Sequence, residues 1–519
     1  MRVKSSLLNI TVGIGNQLII TLLSFVSRTV FINSLGIEYL GINTLFTSIL
    51  AMLSLAEAGI GSSIIYNLYK PVATNDRPKI VALMNLYRKA YSIIAGGIML
   101  LGLALLPFLG LIVKDTDVPH LSVIYLLFLF NTAVPYLFVH KQSFLNVNQK
   151  NYIVTAAFSV SAIVSTSAKI AILYYTENYI LYLAVESAVS IATSLILAKA
   201  ANRMYPLLKE KSGAKLDAET KASFLKNMKA IILQNIGSYF VFGVESVLIS
   251  TFVGVIAVGL YSNYLLLITI ARTFLNQVFA NLYHSVGNLV AKESPDKIYQ
   301  VYRVALLVNF WLYSLAAIAL YLLVQPFISI WIGSGYLMDM AILILLVLQF
   351  YERGMRNTIT TVKTTAGIFH QDRFAPLIQA GINLLLSIVL VHYMGIIGIF
   401  IGGLISAVAV PFWLTPRLVY KDVFKKPLLD FFKKYSFYTM IGLVACFGSQ
   451  FVLSFLEASN YVQLLVQGMA VMLIVNLFYL LIFFRTEEFS YLLAVIRMLA
   501  NKRKGRRIEQ AGGVSAADS

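Results

Sequence analysis

The chain is short of charge, acids, cysteine and histidine, and each shortage excludes something. Charged residues make up 12% of its 519 residues, about half of the roughly 25% usual in a soluble domain. Water is therefore not the main solvent of this fold. The single cysteine, Cys446, excludes an intrachain disulfide and a cysteine-based metal site. It sits in an apolar run and reads as packing. Histidines number five, no HExxH pair is present, and no GxxxxGKS/T loop exists to cradle a nucleotide triphosphate. We read no catalytic constellation, no metal site and no cofactor, so an enzyme is not expected. Acids number 23 against 41 lysines and arginines, a net charge of +18. In a soluble protein that excess would point to nucleic acid. Here the cations are spread over many short loops with no basic domain, so they read as topology and attraction to anionic lipid. Membrane lipids are expected partners; nucleic acid is not.

Apolar sequence is what the chain has in abundance, at 59% hydrophobic residues. A membrane span needs about 20 mostly apolar residues. Fourteen stretches qualify, near 7–33, 41–66, 88–113, 121–139, 152–175, 179–201, 230–252, 258–285, 304–326, 338–362, 375–394, 397–415, 436–456 and 462–484. Their loops alternate in charge. Of the 41 Lys and Arg residues only Lys114 falls in a loop placed outside, which puts both termini in the cytoplasm. The opening MRVKSSLLNI imitates a signal peptide, but the apolar run behind it is too long and lacks a cleavage pattern. The expectation is an all-α integral membrane protein of fourteen transmembrane helices. Residues 1–201 hold the first six spans, 202–229 a basic linker, 230–417 the next six and 418–435 a second basic linker. Residues 436–484 hold the last two spans, and 485–519 form an amphipathic, then basic, tail.

A weak internal repeat supports two six-helix lobes in parallel orientation around a central cavity, with two extra C-terminal helices. GIEYLGINTLF at 36–46 and GVIAVGLYSNY at 254–264 stand 218 residues apart, pairing Gly36 with Gly254 and Gly41 with Gly259. The same offset sets Asn16-Gln17 on Gln234-Asn235.

Eight charges break the apolar rule: Arg28, Glu57, Lys169, Glu186, Glu245, Arg272, Glu352 and Arg353. Facing lipid, they would together cost on the order of 20 kcal/mol, so they pair or line a wet cavity. Lys169 and Glu186 lie at one depth on helices joined by a tight turn, which reads as a structural ion pair, with a functional role as the alternative. Arg28 and Glu245 occupy nearly equivalent places in the two halves, and Glu57 and Arg272 repeat the arrangement deeper. Two readings stay open, and they are compatible: salt bridges that hold the halves together, or a cavity lined by spans one, two, seven and eight. Arg28 and Arg272 are the candidates for ligand contact, because guanidinium presents a planar fork that suits phosphate oxygens. Glu57 and Glu245 are candidates for gating or ion coupling. Asn16, Gln17, Asn43, Gln234, Asn235, Asn263 and Asn276 add hydrogen-bonding groups at membrane depth, where each is equally at home as helix–helix glue. Glu352 and Arg353 point about 100° apart on a helix, and with Arg356 they read as snorkelling near the inner mouth.

The stretch RTVFINSLGIEYLGINTLFTSILAMLSLAEAGIGSSIIYN, residues 28–67, resembles the first hairpin of bacterial polysaccharide repeat-unit flippases of the Wzx type. These belong to the multidrug/oligosaccharidyl-lipid/polysaccharide exporter superfamily. The resemblance is carried by R-x-x-F-x-x-x-L-G-x-x-x-x-G and by L-x-E-x-G-I-G-x-S, and the plan of spans extends it over the chain. It implies a two-lobed helical bundle that moves an undecaprenyl-pyrophosphate-linked oligosaccharide from the inner to the outer leaflet of the cytoplasmic membrane. It also implies the polymerase and chain-length machinery of the same pathway as partners. The superfamily's lipid II flippase lines its cavity with spans one, two, seven and eight and uses arginines there; Arg28 and Arg272 match by span and depth. Glu57 stands where that flippase carries further cations, which favours a capsule, exopolysaccharide or O-antigen unit over lipid II. A multidrug cation antiporter of the same superfamily is the alternative.

Overall fold

The computed structural model describes residues 2–54, 60–210, 243–368 and 370–494. Among these every regular element is helical. Eleven helical stretches are long and apolar enough to cross a membrane. Their outward residues are apolar, as at Ile93 (74% exposed), Leu100 (71%) and Leu481 (74%), the inverse of a water-facing surface. Exposed apolar area on this scale marks a lipid-facing protein, and the chain is a multi-pass membrane protein.

The helices run α1 (Arg2–Leu53), α2 (Ile60–Ala73), α3 (Arg77–Leu105), α4 (Leu109–Ile112), α5 (Leu121–Ala133), α6 (Tyr136–Val147), α7 (Asn151–Thr176), α8 (Tyr179–Met204) and α9 (Gly243–Phe252). They continue as α10 (Val255–Lys292), α11 (Pro295–Trp331), α12 (Met340–Met355), α13 (Asn357–Thr365), α14 (Ala375–Met394), α15 (Ile396–Ala409), α16 (Pro411–Val419), α17 (Leu429–Leu453) and α18 (Tyr461–Phe483). Three of the fourteen expected spans have no separate counterpart among the eleven. Spans one and two run together in α1, span ten is divided into α12 and α13 at Arg356, and only the end of span seven, α9, falls within the described residues. Spans four and twelve are interrupted beside Pro135 and Pro411, whose rings cannot continue a helix from the preceding turn.

The loop expected over 34–40 is a single non-helical residue: Gly36 takes φ 85° and ψ 177° inside α1. Its repeat partner Gly254 takes φ 118° between α9 and α10. Positive φ of this kind is cheap only without a side chain. Asn178 caps α8 by accepting from the Leu181 amide at 3.0 Å, and Asp339 caps α12 by accepting from Ala341 at 2.7 Å. Both satisfy amides that lipid could not.

The chain divides into two compact units. Unit 1 comprises 1–263 with 373–406, and unit 2 comprises 264–372 with 407–519. In unit 1, α7 packs along α8 and against α1, and α6 packs on α3 and α8. The two repeats meet inside it. A Cβ on Gly41 would lie 2.1 Å from the Val255 carbonyl oxygen, and one on Gly259 would lie 2.3 Å from the Ile37 carbonyl oxygen. Ile37 and Val255 stand at the same 218-residue offset as the two glycines. The contact is therefore reciprocal, as in a two-fold crossing. Unit 2 gathers α11, α12, α17 and α18 around an aromatic core, in which Phe310 stacks on Tyr438 at 4.8 Å.

Candidate functional site

The polar groups that concern the site lie on α1, α5, α6, α7, α8, α9 and the first residues of α10, all in unit 1. On α8, Tyr179, Tyr182 and Glu186 fall on one face at spacings of three and four. The tight turn after Thr176 sets α7 antiparallel beside them, so Lys169 reaches that face. Lys169 Nζ lies 3.2 Å from Glu186 Oε1 and 4.8 Å from the centre of the Tyr182 ring. Phe31 of α1 contacts Tyr179 and Tyr182 edge-on, at 5.6 and 5.4 Å. Tyr179 donates its hydroxyl to Asn43 Oδ1 at 3.2 Å, which fixes that amide with its NH2 pointing elsewhere.

Arg28 lies eight residues before the Gly36 break. Its guanidinium donates from one nitrogen to Ser262 Oγ at 2.8 Å and to Asn263 Oδ1 at 3.0 Å. Both acceptors are neutral, and among the described residues no carboxylate pairs with Arg28. Ser262 in turn donates to the Gly259 carbonyl at 2.7 Å, so the glycine crossing and the arginine's anchor are one structure. Glu245 of α9 is buried and accepts from the Tyr261 hydroxyl at 2.7 Å. Beside it, Ser48 of α1 donates to Ser246 Oγ at 3.1 Å.

A cavity of about 490 Å³ opens among these helices. It is lined by Asn43, Thr47, Leu50, Ala51 and Ser54 of α1 and its end, Phe128, Asn131 and Thr132 of α5, Tyr136, Lys169, Tyr182 and Glu186. Its volume is within the roughly 300–1,000 Å³ of small-molecule sites. Among the described residues its lining holds one cation and one anion, bonded to each other, so their charges cancel.

The structure thus brings Asn43, Lys169 and Glu186 to the cavity, and places Arg28, Asn263 and Glu245 in the same unit. Arg272 belongs to unit 2, on α10 within electrostatic range of Tyr313, whose hydroxyl donates to Asn276 Oδ1 at 3.4 Å. Also in unit 2, Glu352 pairs with Arg356 one turn on, while Arg353 is exposed. Glu57, Gln234 and Asn235 lie outside the described residues, and Asn16 and Gln17 lie on a part of α1 described by its backbone alone. Sequence reasoning passed over Asn131, Thr132, Tyr136 and Tyr182. The adjacent Asn131-Thr132 pair inside an otherwise apolar run was the available signal.

No protein-family model matches the chain, and no curated protein matches it. Solved structures do. The lipid II flippase MurJ in an inward closed conformation superposes with a TM-score of 0.65 at 17% identity, over 90% of this chain and 98% of that one. An inward-facing multidrug resistance MATE family transporter of the MOP superfamily gives 0.56 at 15% identity, over 77% and 94%. The Vibrio cholerae MATE transporter VcmN gives 0.52 at 15% identity, over 79% and 95%. At these identities the likeness is one of fold, and the chain has the fold of these membrane transporters.

Proposed function

We propose that this protein is a flippase of the bacterial cytoplasmic membrane. It moves undecaprenyl-pyrophosphate-linked oligosaccharide repeat units from the inner to the outer leaflet for surface polysaccharide synthesis. The observation that carries the reading is a roomy, polar, charge-balanced cavity among apolar helices, close to an arginine with no acidic partner among the described residues. Polar lining inside a membrane bundle is costly and marks a path for something polar. A cationic drug calls for net negative charge, and the described lining of this cavity has none. A lipid-linked saccharide offers hydroxyls to the cavity and an anion to Arg28, while its polyprenyl chain stays in the bilayer. Arg272 is the second phosphate contact in this reading, and Glu245 and Glu57 the gating or coupling acids. With the cytoplasm negative, outward movement of an anion gains roughly 2.3 kcal/mol per charge per 100 mV, so no nucleotide is needed.

The test is complementation of a strain deleted for its own repeat-unit flippase, scoring surface polymer and accumulated lipid-linked intermediate together. Wild type restores polymer and clears the intermediate; Arg28→Ala and Arg272→Ala do neither, at normal membrane levels. Failure of the wild type across a panel of such strains, with raised resistance to cationic dyes, transfers the assignment to drug export.

A further inference from the structure

Two helix ends in unit 1 are completed by the opposite half of the chain. Helix α4 ends at Ile112, and a terminal helical carbonyl has no partner within its own helix. The Ile112 carbonyl accepts from the buried Ser250 hydroxyl of α9 at 2.7 Å. Helix α10 begins at Val255, whose amide is likewise without a helical acceptor, and it donates to the Lys114 carbonyl at 3.3 Å. Between these bonds Asp115 comes so close to Gly254 that a Cβ there would stand 3.3 Å from the Asp115 Oδ2. Both residues hold positive φ, 54° at Asp115 and 118° at Gly254. Further along, the Asp117 amide donates to Glu38 Oε1 at 2.9 Å, just past the Gly36 break. Val113 and Val118 are buried at either end of this loop.

Residues 112–118 therefore touch both repeat turns. They belong to the first half of the chain, yet they meet Ser250, Gly254 and Val255 of the second. Other connections on this side bond at home: Asn178 caps its own α8, and Met338 bonds Gln325 and Tyr264 of its own half. The charge pattern assigns the Lys114 loop and both repeat turns to the outside. The Gly41–Gly259 crossing and the bonds of Arg28 to Ser262 and Asn263 join the same two halves. For a passage between the halves to open outward, this seam has to part. We propose that residues 112–118 are a strap that latches the outer ends of the two halves together and has to release before the outer face opens. The bonds suit a latch. They are few and directed, and Ser250 and Val255 are fully buried in the closed form. Once the halves separate, each partner can bond water instead, so release leaves no polar group stranded. The inference rests on the transporter fold and holds for any cargo.

Cysteine accessibility in the full-length chain tests it. Cys446→Ser removes the single native thiol, and Ser262→Cys places one at a buried position in the seam itself. All comparisons are made within this background. In right-side-out vesicles, a membrane-impermeant maleimide reads how often the seam opens to the outside. Ser250→Ala and Glu38→Ala each raise the labelling rate about fivefold, the worth of one net hydrogen bond, and their effects multiply in the pair. Glu38→Gln, which keeps the accepting oxygen, stays at the parent rate. A separate reporter, Val475→Cys, is fully buried in α18 of unit 2 and stays unlabelled throughout. Labelling at 262 that the double variant leaves unchanged overturns the inference. So does labelling that rises equally at 262 and 475, since the bonds would then be helix caps whose loss loosens the whole fold. Neither result touches the flippase reading, which complementation decides separately.

Discussion

Unit 1 and unit 2 each enclose a space between helices, and the two are lined in opposite ways. The space in unit 2 holds about 250 Å³ between α11, α12 and α17, and its wall is Ala317, Ile318, Val347, Leu348, Leu443 and Phe447, with the half-buried Cys446. The space in unit 1 is twice as large and lined with amides, hydroxyls and an ion pair. Charge is distributed in the same sense. In unit 1 the Lys169–Glu186 pair lines the space itself, whereas the described ion pairs of unit 2, among them Glu352–Arg356, Lys363–Asp372 and the cluster of Arg303, Lys434 and Glu488, include no residue of its apolar lining. An apolar space costs a membrane protein little, since lipid tails fill it. A polar one must be maintained against desolvation by close packing around it. Unit 1 has that packing in the Gly41–Gly259 crossing.

The largest effect that follows is at this crossing. Gly41→Ala would drive a methyl group into backbone, and the expected loss is about 3 kcal/mol of stability, read as a fall in detergent melting temperature. Gly442→Ala at the unit 2 space meets nothing nearer than 3.5 Å and is expected to be neutral or slightly stabilising, since alanine is the better helix former. Equal shifts at the two glycines would break the contrast.

A smaller effect concerns the charges. Lys169→Met strands Glu186. A buried carboxylate so exposed would cost about 3 kcal/mol, but Glu186 is one-third open, which brings the expected loss to about 1–2 kcal/mol. Adding Glu186→Gln recovers most of it. Arg303→Met leaves Glu488 still bonded to Lys434 at 2.8 Å and is expected to cost under about 1 kcal/mol. The double-mutant cycle in each unit measures the difference directly.

The smallest is a pH effect at the unit 2 cluster. Burial pushes the Glu488 carboxyl up, but hydrogen bonds from Lys434 and Arg303 outweigh it and bring the pKa from 4.5 down to about 2. A depressed carboxylate pKa contributes stability that is fully present above pH 4.5 and is lost as pH falls toward 2. Trp311 stacks on Phe489 at 6.1 Å, so its fluorescence should report release of the segment after α18 across that window. No change between pH 5 and 2 would show that the cluster does not hold this segment.

The span pattern was legible because transfer into lipid is a sum over neighbours in the chain. Ala375–Met394 is read at the same bounds from hydropathy and from the helix itself. The Lys169–Glu186 meeting was within reach of the sequence too, because a hairpin turn sets the register of two adjacent helices. Arg28 is different. Its acceptors, Ser262 and Asn263, stand 234 and 235 residues along the chain, and no periodicity links them. The repeat aligned the glycines without saying that they touch. Asn131 and Thr132 stood out only as a polar pair in an apolar run, which does not mark a cavity, since an amide or hydroxyl in a span is equally suited to bond a neighbouring helix. By itself the sequence determined which segments are helical and membrane-bound, through local hydrophobicity, and where the backbone bends, through Gly36 and Gly254. Only the tertiary structure decided which polar groups face one another, because that depends on how helices distant in sequence pack.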